Sequence, residues 1–310
     1  MVRFMRKIAF FAFILVVAAV SASGCVGGTD YSEWNDQIDV INSYVNKSVA
    51  LGDAIETAYD SGNYELALDK VDERLDELDS AYDEIQELRD IADDYDEDFL
   101  IDYSSLWSDH TEQIVTYNEN LRNAILVSNI LSYEDDANVV VDMALGQYLD
   151  SQDFFNSANY QAAASTAELS KQKWSQVYDA VAGAEEYASL LGVGFIEDYT
   201  GYQVSASDNA IKAMEYLKLS ANAAKTGSID TANLHLDTHN FYDAALAADL
   251  QSIQDVRAMN PEAFADEDNY FQNIADNYLA AMDAAEAAAA DISDDLDDIE
   301  SEHSDFFEER

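Results

Sequence analysis

From Leu68 onward the apolar residues fall at Leu68, Val71, Leu75, Leu78, Tyr82 and Ile85, in alternating steps of three and four. Residues three and four apart share one face of an α-helix, so this spacing makes a continuous apolar stripe. Near the C-terminus the pattern runs longer: Tyr278, Met282, Ala285, Ala289, Ile292, Leu296, Ile299, His303 and Phe306, with acids between. That is a coiled-coil-like seam, expected to pack inside its own bundle. A single proline, Pro261, interrupts 310 residues, and three of the 11 glycines lie within residues 24–28. Strand signals, meaning β-branched runs bounded by Asn-Gly or Asp-Gly, are missing. The chain is therefore read as all-α: an elongated bundle or array of long antiparallel helical hairpins.

Breaks in the periodicity predict about eight helices, at 31–60, 64–95, 99–131, 133–155, 160–191, 195–226, 229–258 and 261–308. Asn63, Asn159 and Ser228 stand as N-caps before new apolar periods, and Ser132 with Asp135 reads as a capping box. Asn260-Pro261 reads as an N-cap followed by proline at the first helical position. With no linker rich in Pro, Gly or Ser inside 31–308, one elongated domain is expected; two lobes meeting near 132–158 are the alternative.

Three short segments resemble one another. "SGNYELA" (61–67), "SANYQAA" (157–163) and "TGSIDTA" (226–232) share a small residue, a cap, an aromatic or apolar residue, and alanine three later. Thirty-five residues beyond Tyr64, Tyr160 and Ile229 stand Phe99, Phe195 and Phe264, and Asp102-Tyr103 matches Asp198-Tyr199 at the same offset of 96. A two-helix unit repeated three times by internal duplication is the expectation, with 133–155 as an extra helix. Gly62-Asn63-Tyr64 with Ala67 resembles the turn that opens the second helix of a tetratricopeptide repeat. The likeness covers about six residues per unit and lacks that family's period of about 34 residues. It implies at most a helical scaffold that binds other proteins.

The N-terminus reads as an address. Arg3, Arg6 and Lys7 precede an unbroken apolar run, Ile8 to Val20. Thirteen residues span about 20 Å of helix, short of a ~30 Å hydrocarbon core, and fit a secretory signal peptide over 1–24. Ala22-Ser23-Gly24-Cys25 resembles the lipobox of prokaryotic lipoprotein precursors, with Ala22 where Leu or Val is usual. That resemblance implies lipid on Cys25, the only cysteine. A lone thiol can neither staple the fold nor form a Cys-x-x-Cys pair. Residues 25–30 then form a lipidated cysteine and a flexible tether of at most ~17 Å. Residues 31–310 are then expected to form an acidic, helical, extracytoplasmic domain held on the outer face of the cell membrane.

Charge narrows the partners. Against 63 Asp and Glu the chain has 15 Lys and Arg, a net charge of −48. Cleavage before Cys25 would remove three cations and no acid. Phosphate backbones and anionic lipid heads are repelled, so no nucleic acid partner is expected. Salt near 1 M shortens the screening length to ~3 Å and quenches repulsion among neighbouring acids. The composition is 48% hydrophobic with 19 Tyr and 13 Phe in regular spacing, which favours a folded protein adapted to concentrated salt over disorder; an acidic surface that captures cations is the alternative, and the two can coexist.

Chemical motifs are sparse. His235-Leu236-Asp237-Thr238-His239 places two imidazoles one turn apart, with Asp243 a turn further on, so His235, His239 and Asp243 form a candidate metal site. Leu236 occupies the position where H-E-x-x-H helices carry their catalytic glutamate. Glu300-Ser301-Glu302-His303 contains one E-x-x-H, half of the di-iron pattern of helical bundles, and no second one exists. His303 falls on the apolar seam, where a core or capping histidine is the ordinary meaning. The runs Asp90 to Asp98 and Asp291 to Asp298 lack the glycine turn of a high-affinity calcium loop and read as solvated faces. No G-x-S-x-G elbow, P-loop or dinucleotide fingerprint occurs. Trp34, Trp107 and Trp174 read as helix-contact residues, and Asn46-Lys47-Ser48 as a chance sequon. The chain is thus expected to be a non-enzymatic scaffold or binding module without cofactor, with a protein partner; metal binding is the alternative.

Overall fold

The structure is a computed structural model describing residues 31–95, 97–265 and 270–307. The signal segment, the lipobox and Cys25 lie outside the described residues. Among those described, all regular secondary structure is helical: α1 Ser32–Asp60, α2 Tyr64–Tyr95, α3 Asp98–Asn156, α4 Tyr160–Leu191, α5 Gly194–Lys225, α6 Ile229–Met259, α7 Gln272–Glu302 and a four-residue α8 Ser304–Phe307. No described helix is long and apolar enough to cross a membrane. The chain clusters into two compact units, the first from residues up to Ile125 and from Ala275 on, the second from Leu126–Ile274.

The repeated motif is one repeated turn. Gly62, Ala158 and Gly227 all take left-handed backbone, with φ of 74°, 58° and 79°. Each turn closes with the same long bond: Asn63 N–H to Ala58 O, Asn159 N–H to Phe154 O and Ser228 N–H to Ala223 O, at 2.8–2.9 Å. This pairing, from the residue after the left-handed one back five positions, satisfies carbonyls left open at a helix end. The next helix then starts by donating the alanine N–H of Ala67, Ala163 or Ala232 to the cap residue's carbonyl. All three alanines are buried, so the motif's small side chain lets the two arms approach. Asn63 and Asn159 cap as expected, accepting from Leu66 N–H at 3.2 Å and Ala162 N–H at 3.4 Å. Ser228 makes no side-chain cap bond.

The two seams lie where periodicity places them. Leu68, Val71, Leu78 and Ile85 of α2 are buried, as are Met282, Ala285, Ala289 and Leu296 of α7. In the first unit α1, α2, the start of α3 and α7 enclose Trp34, Ile38, Ile41, Leu88, Leu100 and Tyr103. The second unit packs the rest of α3 with α4, α5 and α6 around a core rich in alanine: Ala144, Ala167, Ala206, Ala210 and Ala213 beside Trp174 and Met214.

Two boundaries differ from expectation. The helices 99–131 and 133–155 are one, α3, and Ser132 stands exposed in its middle. No proline or glycine breaks the ladder there, and a helical Tyr133 can stack on Tyr187 (ring centroids 5.8 Å apart, 22° between planes). The helix expected from 261 begins at Gln272 instead. Asn260 acts at the end of α6, donating its Nδ2 to Val256 O at 2.9 Å, and Pro261 enters a turn. That segment is held by Phe264 and Phe271, both buried, packed at 5.2 Å on each other and at 4.9 Å and 5.9 Å on Tyr199. Phe99 and Phe195 therefore occupy equivalent second positions of α3 and α5, whereas Phe264 sits in a loop.

Candidate functional site

The predicted His–His–Asp site maps to α6, where it faces α3 and α5 in the second unit. His239 is only 3% exposed. Its Nδ1 lies 2.9 Å from Ala213 O on α5, a bond that requires Nδ1 to carry the proton. The Nε2 lone pair is then left to accept from the amide Nε2 of Gln152 on α3, at 3.4 Å. Gln152 also donates to Asp243 Oδ1 at 3.3 Å, and the buried Tyr148 donates its hydroxyl to the same oxygen at 2.5 Å. One step away, Ser151 contacts Met214 Sδ at 3.3 Å. Burial lowers the His239 pKa, against the Ala213 bond and the Asp243 charge, which favours the neutral ring. Burial and the Asp243 bond push the Tyr148 hydroxyl far up, so it stays a donor.

The chain Tyr148–Asp243–Gln152–His239–Ala213 is thus a polar relay with both ring nitrogens of the histidine engaged. His235, a turn earlier, sits instead beside Tyr216, with ring centroids 6.1 Å apart. The structure brings His239 and Asp243 into one network and leaves His235 outside it. Among the described residues no three His, Cys, Asp or Glu side chains gather so as to hold a metal ion. Tyr148 and Gln152 have no signal in the sequence that ties them to Asp243, 95 and 91 residues away.

The other candidates resolve into packing. His303 lies just past α7, stacked on Phe99 at 4.0 Å with 10° between planes. Glu300 of the E-x-x-H accepts from the Tyr103 hydroxyl at 2.6 Å. Asp90, Asp93, Asp94 and Asp98 are exposed, as are Asp291, Asp294, Asp295, Asp297 and Asp298. Trp34, Trp107 and Trp174 are all buried.

Two buried charged side chains escaped sequence analysis. Arg74 lies against Gly52, donates from Nε to Ser48 Oγ at 3.2 Å, and has its pKa lowered by burial. A Cβ at residue 52 would meet its Nη1 at 3.3 Å, so Gly52 makes room for the guanidinium. Glu134, 2% exposed, accepts from Gln203 Nε2 at 2.9 Å. Either residue reads as ordinary helix surface, since charged positions recur at every turn here.

Exposed apolar side chains are unevenly distributed. Among the described residues, the second unit carries Val139, Met143, Leu145, Leu149, Phe154, Leu169, Leu190, Tyr202, Ile229, Leu234, Phe241, Leu250 and Met259, and the first only Val40 and Leu66. Charge runs the other way: segments 1–125 and 275–310 hold 40 acids and 9 cations, and 126–274 holds 23 and 6.

No protein-family model, curated protein or solved structure matches this chain.

Proposed function

We propose that this chain is a lipid-anchored extracytoplasmic protein that acts as a non-enzymatic helical scaffold, with its second unit as the protein-binding part. The observation that supports binding is the uneven apolar exposure. In a chain with so many acids, large exposed hydrophobic side chains concentrated on one unit are the composition of an interaction surface. The anchor rests on Arg3, Arg6, Lys7, the run Ile8 to Val20 and the lipobox-like Ala22 to Cys25. The acid-rich first unit fits a solvating body close to the membrane in concentrated salt. The polar relay on α6 fits a structural role, because its donors and acceptors satisfy one another.

Cell fractionation tests the reading. The native chain is expected in the membrane fraction and a Cys25→Ser chain in the soluble extracytoplasmic fraction or as uncleaved precursor. Equal membrane association of both chains would sink the anchor.

A further inference from the structure

The buried side of α6 carries Ala232, His239, Leu246 and Val256. Its opposite side is unusual for this protein. Between Asp237 and Asp255 the only charged residues are Asp243 and Asp249, and both are engaged inward. Asp243 accepts from Tyr148 and Gln152, and Asp249 accepts from Ser205 and Asn209, each at 2.8 Å. For about four and a half turns, α6 therefore presents no charge outward, in a chain where about one residue in five is acidic. Leu234, Phe241 and Met259 stand 65%, 67% and 72% exposed along that outer stripe, with Ala245, Ala248 and Ser252 between them. Large exposed apolar side chains along an uncharged stripe mark a contact surface.

We propose that this stripe pairs with the same stripe of a second copy, antiparallel, about a two-fold axis between residues 246 and 247. The proposal rests on the scaffold reading and names one occupant of the second unit's apolar surface. The residues themselves select it. In that register Leu234 faces the second copy's Met259, Phe241 faces the small Ser252, and Ala245 faces Ala248, so the apolar ends meet and the alanines let the centre close. The two acids that border the stripe meet no acid: position 256 stands opposite Asp237 but its Val256 side chain is buried in its own unit, and Asp255, which already accepts from Gln251 at 2.9 Å, faces Thr238. The two hydroxyls on the seam leave no donor stranded, because Thr238 donates to Leu234 O and Ser252 to Ala248 O within their own helix. A parallel pair would set Phe241 on Phe241 and Asp255 on Asp255. An isologous contact is also the way a uniformly acidic chain can meet its copy, through its charge-free face in screening salt.

Cross-linking in membranes of the producing cell, in about 2 M salt, tests this, with the full chain carrying Ala248→Cys or Leu234→Cys and a short bis-maleimide. Across the proposed axis two copies of residue 248 are offset by about 4.5 Å along the helices and two copies of 234 by about 37 Å. Ala248→Cys is expected to give a covalent dimer and Leu234→Cys none above the unsubstituted chain, which retains Cys25. Adding Phe241→Glu to the Ala248→Cys chain should cut the dimer at least tenfold with helicity unchanged. Dimer from both cysteines, from neither, or insensitive to Phe241→Glu would overturn the proposal. The anchor stands or falls separately, on the fate of Cys25.

Discussion

Glu134 turns into the second unit with Oε2 on Gln203 and no hydrogen-bond partner for Oε1 among the described residues. Burial pushes its pKa up to about 7; the Gln203 bond opposes the rise and the charge of Asp135 adds to it. The folded state thus favours the protonated acid. Its stabilising contribution is complete below the ordinary value near 4.5 and disappears as pH rises through 7. That gap corresponds to about 3 kcal/mol. Glu134→Gln keeps an acceptor for Gln203 and cannot ionise. In chemical denaturation it should exceed the native chain's stability by up to about 3 kcal/mol at pH 8 and match it at pH 4. A pH-independent difference would contradict the assignment. At the second repeated turn, Ala158 holds a left-handed φ of 58° that glycine holds in the other two. A Cβ there costs energy, and Ala158→Gly should raise unfolding free energy by about 1 kcal/mol, where an ordinary helical alanine would lose about as much. The two differ in how far the sequence reveals them. Glu134 is one acid among 63, and its burial depends on which face of α3 turns to α5. Ala158 shows itself only once the three turns are aligned.

At the scale of elements, hairpins and seams were legible because helix periodicity and turn chemistry are local. Asn63 and Asn159 cap where expected, and the buried faces of α2 and α7 follow their three–four spacing. What the sequence concealed was set by contacts distant in the chain. Ser132 and Asp135 look like a helix start, but a capping residue permits a start without forcing one, and α3 runs on. Tyr133 shows why continuity matters. Its ring lies so close to Gly183 of α4 that a Cβ there would fall 2.6 Å from Cε1. Gly183→Ala should therefore destabilise the fold by about 1–3 kcal/mol despite alanine's better helix propensity. Pairing it with Tyr133→Ala should recover most of that loss, and additive effects in the double-mutant cycle would show that the clash is not the cause. The delayed start of α7 has a similar origin. Asn260-Pro261 has the chemistry of a helix start, yet Phe264 and Phe271 are drawn to Tyr199, which stands 65 and 72 residues earlier in the chain.

For the whole molecule the governing quantity is the net charge of −48 and its division between the units. Neither α2 nor α7 has a cation in its last turn, and both carry acids there, against the helix dipole. Repulsion of this kind weakens as salt shortens the screening length. The tryptophans report on the two units separately: Trp34 and Trp107 lie in the first and Trp174 in the second. On dilution of salt, the first unit, with 40 acids to 9 cations in its segments, should lose its fluorescence signal at higher salt than the second. Trp174→Phe isolates the first signal, and a Trp34→Phe, Trp107→Phe chain isolates the second. A reversed order would separate stability from charge density. That salt response bears on the body of the protein; its attachment to the membrane is the claim on which the functional reading turns. The most direct test is mass spectrometry of the intact chain from its native membrane. The expected species begins at Cys25 and carries the added mass of lipid, with residues 1–24 absent. A chain beginning elsewhere, or at Cys25 with a free thiol and no added mass, would contradict the anchored-scaffold account.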